Sequence, residues 1–198
     1  MATGNLTSAA LLALLQDSPQ RETECQPYLQ HAHALLAPVF SNVVQVVREQ
    51  VGTAGRSDYF LISEEKGYEP RRKLILWEVK APQLAPFKVS TNNRLIPTKA
   101  LVEAENQLIY YYDEYRGSSQ FRDRYDIRHP SDVELGGIVI GTDTNWVERT
   151  AGCTIDNEIV RQMGQAALRI RREHLYKSPM RILSWNTVAL AVIAKLGK

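Results

Sequence analysis

The sequence predicts a mixed α/β fold in which an antiparallel meander of three strands is followed by helical crossovers. Two observations lead to this prediction. Three β-branched or apolar runs lie between residues 39 and 82, separated by turn-like segments, which is typical of strands joined by hairpins. From residue 98 onward, helical and strand patterns alternate, which favours crossover connections. The predicted order is helix, three strands, helix, strand, helix, strand, helix.

The N-terminal part of the chain has helical patterns. The stretch "NLTSAALLALLQDS" predicts a helix capped by Thr7 or Ser8 and ended by Pro19. A second helix is predicted over residues 21–36, where Pro27 marks a helix start or a kink. Its apolar face consists of Tyr28, Leu29, Ala32, Leu35 and Leu36.

Three strands are predicted next, over residues 39–51, 57–65 and 73–82, from their β-branched content and alternation. Residues 83–97 are predicted to form an irregular loop. The clearest helix follows from Thr98, which is a plausible cap. It extends to Arg116 and carries an apolar face at helical spacing: Leu101, Ala104, Leu108, Tyr111 and Tyr115.

The last third of the chain repeats the alternation. A polar, Arg-rich connection leads to a short buried strand at residues 135–143 and a long helix at 155–176. The closing stretch "MRILSWNTVALAVIAKL" predicts a strand that leads into a helix.

Composition bounds the class of protein. A hydrophobic content of 44% with 23% charged residues is typical of a soluble globular protein, and 198 residues fit one domain. The net charge of +2 is too small to indicate a nucleic-acid or membrane partner by itself. Two cysteines supply neither a disulfide framework nor a zinc set. The apolar stretch Ala9–Leu15 is too short to span a bilayer and lacks the basic flank of a signal peptide. We therefore expect a cytoplasmic protein without a membrane segment or a small-molecule cofactor.

Charged residues end the otherwise apolar third strand, in "LILWEVKAPQ" at residues 74–83. Glu78 and Lys80 fall on one face of the strand with Val79 opposite. If the second and third strands are hairpin neighbours, Asp58 lies beside Glu78. Two carboxylates and one ammonium then converge at one end of the sheet. Carboxylate oxygens suit Mg²⁺ or Mn²⁺, and a neighbouring lysine can orient water and neutralise charge that develops on phosphate.

This arrangement, an aspartate followed by Glu-x-Lys on the next strand, resembles the PD-(D/E)xK nuclease superfamily. Gln107 and Tyr111 on the following helix resemble the Gln-x-x-x-Tyr signature of many of its members. Ordered blocks narrow the resemblance to the Shedu family of bacterial anti-phage nucleases. They are "ETECQPYLQHAHALL", "SDYFL", "LWEVKAP", "AENQLIYYYDEY", "LGGIVIG" and "MRILSWNTVAL".

The resemblance implies a restriction-endonuclease-like fold in residues 21–198, with residues 1–20 as an N-terminal helical extension. The expected architecture is a mixed central sheet flanked by helices, an αβββαβ core with an additional C-terminal helix-strand-helix. The implied activity is metal-dependent endonuclease cleavage of DNA, with Mg²⁺ or Mn²⁺, in antiviral defence by a homo-oligomer.

The resemblance also implies roles for individual residues. Asp58, Glu78 and the Val79 carbonyl hold the metal in this interpretation. Lys80 positions or activates water, and Gln107 arranges the nucleophile or the scissile phosphate.

Further residues complete the implied site. Tyr111 supports the role of the glutamine one helical turn before it. Glu22 is a possible extra carboxylate, because it keeps the family spacing to Gln26 and Leu29; Glu24 is the alternative.

Other interpretations stay open at this point. Glu78 and Lys80 could form an exposed ion pair on an edge strand, which contributes little. Arg122, Arg124, Arg128 and Lys177 either form a solvated face or contact DNA phosphates beside the site. The whole domain could be a catalytically inactive DNA-binding or assembly module, or a restriction or repair nuclease of the same fold outside Shedu.

Overall fold

The structure is a computed structural model that describes residues 6–17, 19–38, 41–51, 56–65, 70–150, 153–175 and 180–197. Of these, the side chains at positions 49–51, 56–58, 174 and 175 lie outside the description. The helices are α1 Ser8–Gln16, α2 Glu22–Cys25, α3 His33–Leu36, α4 Lys99–Gly117, α5 Ser119–Arg124, α6 Asn157–Ile170 and α7 Trp185–Leu196. The strands are β1 Ser41–Val51, β2 Arg56–Glu65, β3 Arg71–Val79, β4 Phe87–Val89, β5 Leu95–Pro97, β6 Val133–Val139, β7 Val147–Arg149 and β8 Arg181–Leu183.

The central sheet has five strands in the order β1-β2-β3-β6-β8. The pairs β1–β2 and β2–β3 are antiparallel, whereas β3–β6 and β6–β8 are parallel. The prediction of an antiparallel meander followed by helical crossovers is therefore confirmed. Strand β3 lies in the middle of the sheet and is buried from Leu74 to Val79, which explains its nearly continuous apolar sequence.

Helices pack on both faces of this sheet. One face, called here the α7 side, carries Tyr59, Trp77 and Val79 against α1, the segment from α2 to α3, and α7. The other face, called the α4 side, carries Phe60, Leu76 and Ile138 against α4. Successive residues of β2 and β3 alternate between these two clusters, as the pleat of a strand requires.

Local capping agrees with the sequence at both predicted helix starts. The Thr98 hydroxyl accepts from the amide of Leu101 at 3.3 Å, and the Thr7 hydroxyl accepts from the amide of Ala10 at 3.2 Å. The predicted inner face of α4 is confirmed in full, since every one of its members is buried: Leu101, Ala104, Leu108, Tyr111 and Tyr115.

Three sequence predictions are wrong in detail. The helix over residues 21–36 is divided into α2, a 3-10 segment Gln26–His31 and α3, because Pro27 cannot donate a helical hydrogen bond. The predicted loop 83–97 contains β4 and β5, which join β7 in a second sheet of order β5-β4-β7. The Arg-rich connection contains α5, which Ser118 caps. Three-residue strands are too short to show alternation, and β4 pairs with a strand that is remote in sequence.

Gly137 permits the close approach of β6 and β8. Its φ is +150°, and a Cβ there would lie 1.9 Å from the carbonyl oxygen of Arg181. Only glycine fits this crossing point. In the described part of the chain, no helix has the length and apolar character needed to cross a membrane.

Candidate functional site

The candidate site lies at the C-terminal end of β3. Within the parallel ladder, Glu78 is opposite Ile138 of β6. Its side chain shares the α4 side with Leu76, two residues earlier on the strand. Glu78 is only 2% exposed, so the interpretation of an exposed pair on an edge strand does not apply.

Three of the predicted residues form one bonded set. The Lys80 ammonium lies 2.8 Å from Oε1 of Glu78 and donates to Oε1 of Gln107 at 2.7 Å. The Lys80 side chain is 15% exposed. Gln107 reaches it from the middle of α4, so the set connects the central strand to the helix that covers it.

Asp58 is placed by its backbone alone. The last pair of the β2–β3 ladder is Tyr59 with Trp77, and Asp58 and Glu78 are the next residues of their strands toward the site. The predicted hairpin neighbourhood of the two strands is confirmed. The Asp58 side chain lies outside the described residues, and its metal-binding role stays a prediction. Among the side chains that the structure describes, no group of three or more His, Cys, Asp or Glu is arranged to hold a metal ion.

The main chain at Lys80 is fixed by groups that the sequence did not reveal. The Lys80 amide donates to the Val139 carbonyl at 2.8 Å. The Lys80 carbonyl accepts from the indole N–H of Trp185, the first residue of α7, at 2.7 Å. Two residues further on, the Pro82 carbonyl accepts from the Asn145 amide at 2.8 Å. The periodicity of the sequence indicates that Trp185 is a core residue. It cannot show the hydrogen bond to Lys80, because that bond joins positions 105 residues apart.

Gln83 brings the start of α2 to the same end of β3. Its side-chain oxygen accepts from the Arg21 amide at 3.0 Å, and its side-chain nitrogen donates to the carbonyls of Leu14 and Asp17. Glu22 follows directly as the first residue of α2. Its role as an extra carboxylate stays a prediction.

The alternative carboxylate, Glu24, has a different environment. It forms an exposed ion pair with Arg21 at 3.0 Å. The hydrogen bonds that the Arg21 guanidinium donates to Asp17 and, second, to Glu24 raise its pKa. Glu24 is therefore part of a surface network beside the linker from α1 to α2.

Comparisons with known proteins give no family for this chain. No protein-family model matches it, and no curated protein matches it.

Tyr111 lies in the aromatic core rather than in an open cleft. It is buried, and its ring stacks on that of Tyr115 at 6.1 Å between centroids. Tyr115 in turn stacks on Phe121 of α5 at 3.8 Å. Tyr111 therefore packs as a member of the apolar face predicted for α4; its supporting role stays a prediction.

Two acidic residues of the arginine-rich segment lie away from Lys80. Asp126 pairs with Arg72 at 3.6 Å, and the carboxylate of Asp132 accepts from Nε of Arg71 at 2.6 Å. These contacts place Asp126 and Asp132 at the N-terminal end of β3, whereas Phe121 and Tyr125 pack on Phe60, which pairs with Leu76. At about 3.3 Å per residue, the N-terminal end of β3 is roughly 25 Å from the Lys80 end.

The role of the arginines as contacts to DNA phosphates stays a prediction. Arg122 donates to the carbonyl of Arg116, and Arg128 lines a small cavity with Arg71 and Asp132. Arg124 is exposed at the end of α5. Lys177 lies outside the described residues.

Two buried groups lie behind the site, on the α7 side. Burial raises the pKa of the Cys25 thiol to about 12 and raises the pKa of the Tyr59 phenol. Tyr59 precedes Phe60 and directly follows Asp58, and its hydroxyl has no hydrogen-bond partner among the described residues. Both groups stay neutral near pH 7.

Proposed function

We propose that this protein is a metal-dependent nuclease that hydrolyses phosphodiester bonds in DNA, with a role in anti-phage defence. The observation that carries the proposal is the bonded set of Glu78, Lys80 and Gln107 at the end of the central strand. The C-terminal ends of the parallel strands β3, β6 and β8 meet at this edge, where α/β sheets commonly bind their ligands.

The energetics of burial support a functional origin for this set. Removing two charges from water is costly, and well-packed apolar residues often stabilise a fold at least as well as a buried ion pair does. Leu74 to Trp77 show that apolar residues fit this strand. A charged pair that replaces them at one end breaks the local pattern, as residues at functional sites often do.

The donor types fit a hard divalent cation. Mg²⁺ takes one or two carboxylates and keeps several waters for substrate phosphate. Glu78, the Val79 carbonyl and Asp58 supply oxygen donors of this kind, and Glu22 is the candidate for a further one. When bound, the cation supplies charge stabilisation at the phosphoryl oxygen and lowers the pKa of a bound water.

The protein side chains supply the remaining chemistry. Lys80 carries the positive charge that offsets charge developing on the phosphate in the transition state. Its contact with Glu78 at 2.8 Å holds the ammonium in place before substrate arrives. Gln107 accepts from Lys80 through Oε1, so its amide N–H groups are the donors directed at a water or a phosphate oxygen.

A non-catalytic DNA-binding or assembly module is the second candidate. It predicts binding without cleavage. A third candidate is a restriction or repair nuclease outside Shedu, which would use the same chemistry as the first candidate but would have a different biological role.

Cleavage assays with metal controls test the proposal. Purified protein is incubated with plasmid, linear duplex and single-stranded DNA in Mg²⁺, Mn²⁺ or EDTA. We expect metal-dependent cutting that Lys80→Ala and Glu78→Ala each reduce by about 10²- to 10³-fold, the usual loss for a group that stabilises transition-state charge. The matched control is Lys99→Ala, since Lys99 is a lysine with an 89% exposed side chain.

The outcomes separate the candidates. Metal-dependent cutting that survives both site substitutions contradicts the site assignment. No cutting of any substrate, together with no Mn²⁺ bound in a titration, favours the non-catalytic module. Light scattering of the wild-type protein tests the expected homo-oligomer independently.

A further inference from the structure

We propose that Trp185 is a positioning residue for Lys80. Its indole N–H holds the Lys80 carbonyl at 2.7 Å, and this bond keeps the ammonium between Glu78 and Gln107. The consequence for DNA cleavage rests on the proposed function. The positioning of Lys80 by Trp185 does not depend on the proposed function, because it concerns only the geometry of Lys80.

Lys80 needs such a support because it lies beyond the last residue of β3, Val79. The Lys80 amide still joins the ladder through Val139. Its carbonyl lies just before the turn at Pro82 and accepts from the Trp185 indole on the α7 side, while the side chain of Lys80 is held from the α4 side.

Trp185 is itself rigidly placed. It is fully buried, and its own amide donates to the carbonyl of Gly141 at 2.9 Å. The preceding Ser184 caps α7 by accepting from the Thr187 amide. The indole is therefore fixed to the end of β6 and to the start of α7 before it contacts Lys80. A rigid support of this kind limits the displacement of a functional side chain.

The molecule contains a matched control for this bond. Trp77 is also buried, and its indole N–H donates to the Leu36 carbonyl at 3.2 Å on the same side of the sheet. Trp77→Phe and Trp185→Phe each remove one buried indole N–H from a carbonyl. Of the two carbonyls, only the one that accepts from Trp185 belongs to Lys80. Both variants are expected to unfold at lower urea concentration than the wild type.

The decisive readout is the chemical reactivity of the Lys80 amine. Trace acetylation at fixed pH, quantified by peptide mass spectrometry, gives the reactivity of Lys80 relative to exposed Lys99. Lys73, 19% exposed and bonded to Glu65 and Glu134, serves as a second paired lysine. We expect Trp185→Phe to raise the Lys80/Lys99 ratio by roughly 2- to 10-fold, the range that one lost hydrogen bond allows. Trp77→Phe leaves that ratio unchanged, and neither variant changes Lys73.

Kinetics provide the second readout. If the proposed function holds, Trp185→Phe lowers kcat for DNA cleavage by a similar factor and leaves KM unchanged, while Trp77→Phe leaves both unchanged at temperatures where it is folded. An altered Lys80 ratio without cleavage by any form of the protein supports the positioning role and contradicts the proposed function.

An unchanged Lys80 ratio in folded Trp185→Phe overturns the positioning role, and so does an equal change in Trp77→Phe. If Trp185→Phe does not fold, 3-benzothienylalanine at position 185 keeps the indole shape but replaces the N–H by sulfur. The same Lys80/Lys99 ratio then decides the question.

Discussion

The two ends of strand β3 both carry charged residues, yet they are built differently. At the N-terminal end, Arg71 and Arg72 pair with Asp132 and Asp126, and the arginine side chains are 49% and 39% exposed. At the C-terminal end, Glu78 and Lys80 are 2% and 15% exposed. The two arginines reach solvent and keep much of their hydration, although the Asp132 side chain is fully buried; at the C-terminal end both members of the pair lose most of their hydration.

The connections also differ. The N-terminal pairs join β3 to the segment before β6, and Asp132 additionally accepts from the His129 amide. These pairs hold a connection against the sheet. Glu78 and Lys80 are two residues apart in sequence, so their direct contact links no separate elements, and the link to α4 comes from Gln107. Under the proposed function, the first end serves the architecture and the second serves the chemistry.

The largest expected effect on stability is that of Lys80→Met. It removes the ammonium that neutralises the buried Glu78, which should lower the free energy of unfolding by about 3 kcal/mol. In the double variant with Glu78→Gln, part of this loss should return. We expect a coupling energy above about 1 kcal/mol in urea denaturation, as for residues in direct contact.

The control for this cycle is the exposed pair of Arg72 and Asp126, 3.6 Å apart at the other end of the strand. Its coupling energy should stay below about 0.5 kcal/mol. Equal coupling energies at the two ends would remove the distinction between them.

Asp132→Ala should produce the next largest effect, a loss of about 2 kcal/mol, because the carboxylate accepts from Arg71 and from the His129 amide. The DNA cleavage rate of the folded variant should equal that of the wild type, since this residue lies at the architectural end. Asp126→Asn, whose native side chain is 64% exposed, is the control. A cleavage defect in Asp132→Ala at full folding contradicts the assignment of roles.

Sequence patterns predicted those features of the fold that depend on neighbours along the chain. The order of the main strands and helices, the buried face of α4 and the Thr98 cap all follow from local spacing. The second sheet was missed, because β4 pairs with β7, sixty residues away. The α1 residue Leu11, in the predicted extension, lies in the same core cluster as Trp185; amphipathic spacing does not show against what a helix packs.

The same limit applies to the candidate site. Glu78, Lys80 and Gln107 were predicted, because charges within an apolar strand and an i, i+4 pair on a helix are visible in sequence. The supports at Trp185, Asn145 and Gln83 were not. Each forms hydrogen bonds to a main-chain group distant in sequence, and no residue pattern marks such contacts. The position of Asp126 and Asp132 at the N-terminal end of β3 was not predicted either, because a connection's composition does not show which end of a strand it reaches.

Gln83→Ala should have a smaller effect on the C-terminal end. It removes the bonds to the Arg21 amide and to the Leu14 and Asp17 carbonyls, and water can replace part of this bonding. We expect a loss of about 1 kcal/mol and faster labelling of Cys25 by a thiol reagent at pH 8, since α2 opens more often. Gln45→Ala, an exposed glutamine on β1, is the control. Labelling at the wild-type rate would show that Gln83 does not hold α2.

The smallest expected effect is the pH dependence that Cys25 gives to stability. Burial raises the pKa of this thiol from 9.0 to about 12, so the unfolded state loses its proton first as pH rises. The stabilising contribution is fully present below pH 9.0 and is lost between pH 9.0 and about 12. Relative to Cys25→Ala, the wild type should lose somewhat less than about 1 kcal/mol by pH 9.5. Urea midpoints measured from pH 7 upward check this slope. If the urea midpoints of the two proteins change in parallel with pH, the segment around Cys25 exposes the thiol to water without unfolding of the whole protein. In that case α2 is less firmly packed behind Glu78 than its burial indicates.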